Sequence, residues 1–210
     1  MDAADLREAV EDDKRTELDR IGSSKFLIAA TDADLEAEPV LRAAADSEHA
    51  AAETFAAWAD DEDDAAAAEA FAAVAEQERE HYDRVADHLP DDFEPADGGP
   101  MHAYLRGRDD GIERVAGGLL GRPLVSVRSH TQVISFFVNE ADEAMANLFR
   151  ELKTETNEEL ERGLDLLDDR CADADDWERA RSVAAYTIQV AYDDYADSLT
   201  ELGVDPRPIC

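Results

Sequence analysis

Cysteine, lysine and strand-forming runs are scarce in this chain, and each scarcity removes a class of protein. Two cysteines occur in 210 residues, Cys171 and Cys210. They make no Cys-x-x-Cys pair and no disulfide framework, which excludes zinc ribbons and rubredoxin-type iron centres. Neither has a partner base in sequence, so both are expected to be unreactive. Lysine stands only at Lys14, Lys25 and Lys153, and arginine carries the rest of the positive charge. Asp+Glu total 53 against Lys+Arg 20, a formal net charge of -33. Such a chain lacks the basic stripe that displaces counterions from phosphates, so direct nucleic-acid binding is not expected, and anionic membranes are disfavoured. No segment approaches the ~18 consecutive apolar residues of a membrane span. The start, Met1-Asp2-Ala3-Ala4-Asp5, has neither the basic flank nor the apolar run of a leader. A cytoplasmic protein is expected.

What is present is acid interleaved with apolar residues throughout, at 44% hydrophobic content. A disordered acidic tail would instead segregate charge from apolar positions. At molar salt the Debye length falls to about 3 Å and self-repulsion is largely screened. The composition therefore reads as adaptation to a high-salt cytosol. Its length suits one domain over 1–210, in three stretches: a three-helix segment 1–89, a Gly/Pro-rich connector 90–122, and two C-terminal helices over 123–210.

Glycine and proline are nearly absent before Pro90, and the Ala, Glu, Arg and Leu between favour long helices. A first helix is expected from Leu6 through Val10, Glu17 and Ile21 to about Thr31. A second starts near Pro39, and a third carries Phe71, Val74, Glu78, His81 and Val85 on one face. After the connector, with short helical pieces at Met101–Leu105 and Ile112–Leu120, a fourth helix runs from Pro123 through Phe137, Glu140 and Leu148, extending as far as Leu167. A fifth spans Trp177 to Leu202. These elements give an all-α, antiparallel four-helix bundle with an additional C-terminal helix.

An ionised carboxylate among apolar side chains is costly unless a cation or hydrogen-bond donors compensate it, so acids on core-facing stripes are informative. Spacing turns Glu17, Glu78, His81 and Glu140 inward. On the second helix Asp46 and His49 stand at i, i+3, while Glu48 is seven from both Leu41 and Phe55. The i, i+3 spacing puts a carboxylate and an imidazole on one face. The candidate ligands are Glu17, Asp46, Glu48, His49, Glu78, His81 and Glu140, a donor set suited to hard cations. By depth, Glu48 with His49 matches Glu17 better than Asp46 does. For Glu17 and Glu140 the competing reading is pairing with arginines such as Arg20, Arg84 or Arg150. His88 and His130 read as ordinary helix residues, His130 within reach of the rim of such a site, and His102 as exposed.

The stretch Ala75-Glu76-Gln77-Glu78-Arg79-Glu80-His81 resembles the second-helix metal motif of ferritin-like, rubrerythrin-like proteins. Ser47 to Ala59 resembles the acid-then-aromatic pattern of their first helix, the likeness being clearest over 12–89. The resemblance implies a four-helix protein, here of the acidic haloarchaeal kind without a rubredoxin domain. It also implies a di-iron or di-manganese centre acting in peroxide reduction, iron oxidation or oxygen-dependent oxidation, with electrons from a separate electron-carrier protein; a homodimer is compatible. One register uses Glu17, Asp46 or Glu48, His49, Glu78, His81 and Glu140. The other pairs Glu48 with Glu78 and His81 as a first hairpin and leaves the second half without a matching histidine, an incomplete site. The alternative class is a non-catalytic helical interaction or regulatory protein, transcription-related ones included, that has lost the metal.

Overall fold

The computed structural model describes residues 1–207 and is all-helical, with no strand among them. Helices α1 (Ala3–Asp13), α2 (Arg15–Ile21) and α3 (Lys25–Ala30) come first. They replace the single first helix expected from spacing. The path breaks at Lys14, where φ -113° and ψ 18° leave the helical region, and again after Gly22. Leu6, Val10, Leu18 and Ile21 are buried on these pieces, whereas Glu17 is half-buried.

Helices α4 (Ala37–Asp61) and α5 (Ala65–Ala86) form an antiparallel hairpin. Asp64 starts α5 by accepting a hydrogen bond from the Ala67 amide at 2.9 Å, satisfying one of the free N–H groups of a first turn. A loop leads to α6 (Pro100–Arg106). Then α7 (Gly111–Ala116), one π-helical turn (Gly117–Gly121) and α8 (Arg122–Asn139) run on without a break. Most of the stretch expected as connector is thus helix. Its glycines allow close approach: a Cβ at Gly118 would stand 2.6 Å from Trp58 and 3.0 Å from Phe55, and one at Gly121 2.8 Å from the Ala184 carbonyl oxygen.

The helix entered at Pro123 was expected to pass through Glu140; it stops at Asn139. Ala141 takes φ 60°, and Asp142 caps α9 (Glu143–Arg170) by accepting from the Met145 amide at 3.0 Å. Helices α8 and α9 form a second hairpin, and α9 packs against α5. Helix α10 (Ala174–Glu201) covers α1, α2, α3, α6, α7 and the π turn. No described helix is long and apolar enough to cross a membrane.

The interior has two apolar bodies. One is built from Phe55, Trp58, Phe71, Val74, Leu119, Leu120 and Leu160, the other from Val40, Leu41, Val85, Val133, Phe137 and Phe149. Where the two bodies meet, α4, α5, α8 and α9 carry buried polar side chains.

Candidate metal centre

Each of those four helices brings a polar side chain to the intervening level. Glu48 on α4 lies seven residues before Phe55 and seven after Leu41, on the stripe that faces inward. On α5, Glu78 and His81 fall between Val74 and Val85. Arg122 and His130 come from α8, and Glu155 and Glu159 from α9. Glu78, His81 and Glu159 are 0% exposed, Arg122 2%, Glu48 and His130 4%.

His81 organises the group. Its Nε2 lies 2.6 Å from Glu155 Oε2, and Glu155 is held in turn by Arg84 at 3.1 Å. Nε2 therefore carries the proton that Glu155 accepts, and Nδ1 points at two carboxylates. The distances from Nδ1 are 3.5 Å to Glu78 Oε2 and 3.8 Å to Glu48 Oε2. Neither contact is a hydrogen bond, and Nδ1 and Glu78 Oε2 have no hydrogen-bond partner among the described residues. Glu48, Glu78 and His81 each offer an atom within 4.8 Å of the others, so this buried group could hold a metal ion. Two ligand atoms about 2.1 Å from one ion are themselves about 3 to 3.5 Å apart, close to the spacing seen. A carboxylate on the far nitrogen is the usual support of a metal-bound imidazole.

The remaining carboxylates are met by arginine. Arg122 lies 2.8 Å from Glu78 Oε1, pairs with Glu159, donates to the Gly118 carbonyl at 3.2 Å and sits 5.1 Å over the Phe55 ring. Gln77 donates to the other Glu159 oxygen at 2.6 Å. His130 Nε2 lies 3.0 Å from Glu48 Oε1.

The electrostatics follow from crowding acids in a dry interior. Burial alone would raise the Glu48 carboxyl, but its contacts with Glu78, His130 and His81 hold it well below the usual carboxylate range. Burial would lower His81, yet the close contacts with Glu48 and Glu78 and their negative charges push it up to about 11. Glu159 is raised by burial and by the charge of Glu78, with Arg122 opposing. Arg122 is raised in spite of its burial, chiefly by Glu78 and Glu159. Three buried carboxyls thus share one permanent cation. Protonation of Glu159 relieves part of the crowding, and a proton on His81 or a metal ion can supply a positive charge beside Glu48 and Glu78.

Of the seven sequence candidates, the structure brings Glu48, Glu78 and His81 together. The other four lie elsewhere. Glu17 is half-buried on α2, because the break at Lys14 changes the register of the stripe. Asp46 accepts from the Ala96 amide at 2.8 Å, tying down the loop before α6. His49 packs against Tyr82 with ring centroids 5.3 Å apart. Glu140 is exposed at the end of α8. His102, expected on the surface, is 3% exposed: the short helix expected at Met101–Leu105 is present as α6, but it packs against α4 and α10. His88 is exposed. Burial and the charges of Asp176 and Asp168 push the Cys171 thiol up to about 11, which disfavours thiolate chemistry; Cys210 lies outside the described residues.

Sequence reading missed Arg122, Glu155 and Glu159. Arg122 was hidden by the glycines around it. Glu159 was findable: it stands seven after Leu152 and one before Leu160, on the inward face of α9. Compared with known proteins, the chain matches no family model, no curated protein and no solved structure.

Proposed function

We propose that Glu48, Glu78 and His81 hold one redox-active divalent ion, iron or manganese, and that the chain is a ferritin-like oxidoreductase acting on peroxide or oxygen. In this reading α4, α5, α8 and α9 are the four helices of the ferritin-like bundle, and α10 is the added one. The carrying observation is the pair of orphaned buried atoms, His81 Nδ1 and Glu78 Oε2, facing each other at 3.5 Å with Glu48 Oε2 beside them. With His81 neutral these apposed lone pairs repel unless a cation lies between them, and burial magnifies the cost.

The donor set fits one ion rather than two. The Arg122 guanidinium pairs with both Glu78 and Glu159 and already supplies the positive charge that these carboxylates would otherwise take from a second ion. When bound, iron or manganese supplies one-electron chemistry toward peroxide or oxygen. The chain's own residues do the rest. Glu155, steadied by Arg84, fixes the His81 tautomer through Nε2. Arg122 neutralises the carboxylate oxygen that faces away from His81, and His130 orients Glu48. A separate electron-carrier protein would deliver the electrons.

One observation favours the second reading, a metal-free helical interaction protein. The same Arg122 pairs and the proton on His81 can balance the carboxylates by themselves. Metal analysis separates the two. Protein folded in molar KCl and reconstituted anaerobically with iron(II) or manganese(II) should retain about one equivalent per chain, an estimate that follows from one three-donor site. Glu78→Gln and His81→Ala should each lose it together with peroxide turnover, while both variants keep their helical circular dichroism. No retained metal in the folded parent protein rejects the enzyme reading.

A further inference from the structure

A cavity of about 190 Å³ opens between α2, α3, α4, α6, α8 and α10, outside the group just described. Its walls are largely apolar, formed by Ile21, Phe26, Met101, Val125 and Tyr195. Two carboxylates border it, Asp46 from α4 and Asp194 from α10, and among the described residues no lysine or arginine lines it. His102 also lines it. That side chain is 3% exposed, its Nε2 lies 3.5 Å from the Ser47 hydroxyl, and its Nδ1 has no hydrogen-bond partner among the described residues. Burial and the Arg122 charge hold the imidazole down at about 3, so it is neutral and adds no positive charge to the wall.

These features specify an occupant. A volume on the order of 150 Å³ accommodates a benzene-sized molecule, so this cavity takes one such ring or a branched aliphatic group of similar bulk. The apolar walls recover free energy from burying it. Two carboxylates at the wall, with no lysine or arginine among the described lining residues, attract positive charge and repel negative. A neutral imidazole with an unused ring nitrogen offers a hydrogen-bonding partner to a polar group inside. A smaller cavity of about 70 Å³ shares Phe26, Ala30, Ala43, Ser47 and Ser129 with the first and is also lined by Glu48 and His130.

We propose that the larger cavity is a binding site for a small organic monocation, an ammonium group carried on an aromatic or branched apolar body. The site is independent of whether the neighbouring carboxylates hold metal, and the test is run on metal-free protein so that the two ideas fail separately. Full-length protein, stripped with chelator and kept in molar KCl, is titrated calorimetrically with benzylamine, benzyl alcohol and benzoate. Benzylamine is expected to bind with a Kd on the order of 1 mM or tighter, benzyl alcohol about tenfold more weakly, and benzoate not measurably. The double variant Asp46→Asn/Asp194→Asn keeps side-chain size and the acceptor for Ala96. It should bring benzylamine down to the level of benzyl alcohol. Ala191→Phe should fill the cavity and abolish binding of both; Ala43→Phe, from the opposite wall, serves the same purpose should the first variant not fold. Equal binding of benzoate and benzylamine overturns the proposal. So does benzylamine affinity untouched by the double variant, or no binding of benzylamine to folded parent protein.

Discussion

Helices α4, α5 and α9 each pass through two environments within a few turns. At one level Phe55, Trp58 and Phe71 interlock, with ring centroids 5.2 to 6.0 Å apart and Leu119, Leu160 and the π turn packed around them. At the next level the same helices present Glu48, Glu78, His81 and Glu159, equally buried. The aromatic level is held by area and shape, which are non-directional and do not depend on pH. The polar level is held by pairing, and pairing works only while every partner is in place. A fold that needed nothing but stability could have continued the apolar stripe. The difference between the two levels makes the polar one the place where loss of a single partner leaves a buried charge uncompensated.

The largest effect is expected in the apolar level. Phe71→Ala should cost about 3–5 kcal/mol by leaving a cavity, read by denaturant unfolding in molar KCl, with metal uptake unchanged. Arg122→Met leaves Glu78 and Glu159 without their cation and should cost about 3 kcal/mol, a loss of the same order from a side chain with no packing advantage over its replacement. Replacing the whole set, with Glu78→Leu, Arg122→Met and Glu159→Leu together, should return the protein to within about 1 kcal/mol of the parent while abolishing metal uptake. A triple variant less stable than Arg122→Met alone would show that the polar level contributes stability of its own, and the contrast between levels would collapse.

Per pH unit the smallest expected effects are the stability slopes of the metal-free protein, at most about 1.4 kcal/mol for each titrating group. His102 titrates near 3 when folded against 6.5 unfolded, so the unfolded chain binds the extra proton in between, and stability falls as pH drops from about 6.5 towards 3. His81 has the opposite sign. Its folded value is about 11 against 6.5, so its contribution is fully present below pH 6.5 and is lost as pH rises towards 11. His102→Leu should flatten the acid limb and His81→Leu the alkaline limb. Phe71→Ala should lower the whole curve evenly.

The chain's own order of residues determined that it is helical, where most helices lie, and that Glu48, Glu78 and His81 face inward. Those features follow from local rules: a 3.6-residue period, capping acids, and a scarcity of glycine and proline before Pro90. Three matters were decided only in the tertiary structure. The glycines near Gly118 read as breaks locally, yet they let a helix lie against Trp58 and deliver Arg122 to the centre. Glu17 and Glu140 keep the period on paper, but a break at Lys14 and a turn at Ala141 carry them out of the centre, because a phase is conserved only along an unbroken helix. The partnership of Glu78 with Arg122 and Glu159 joins residues 44 and 81 positions apart by their numbers, and no periodicity reaches across a chain reversal.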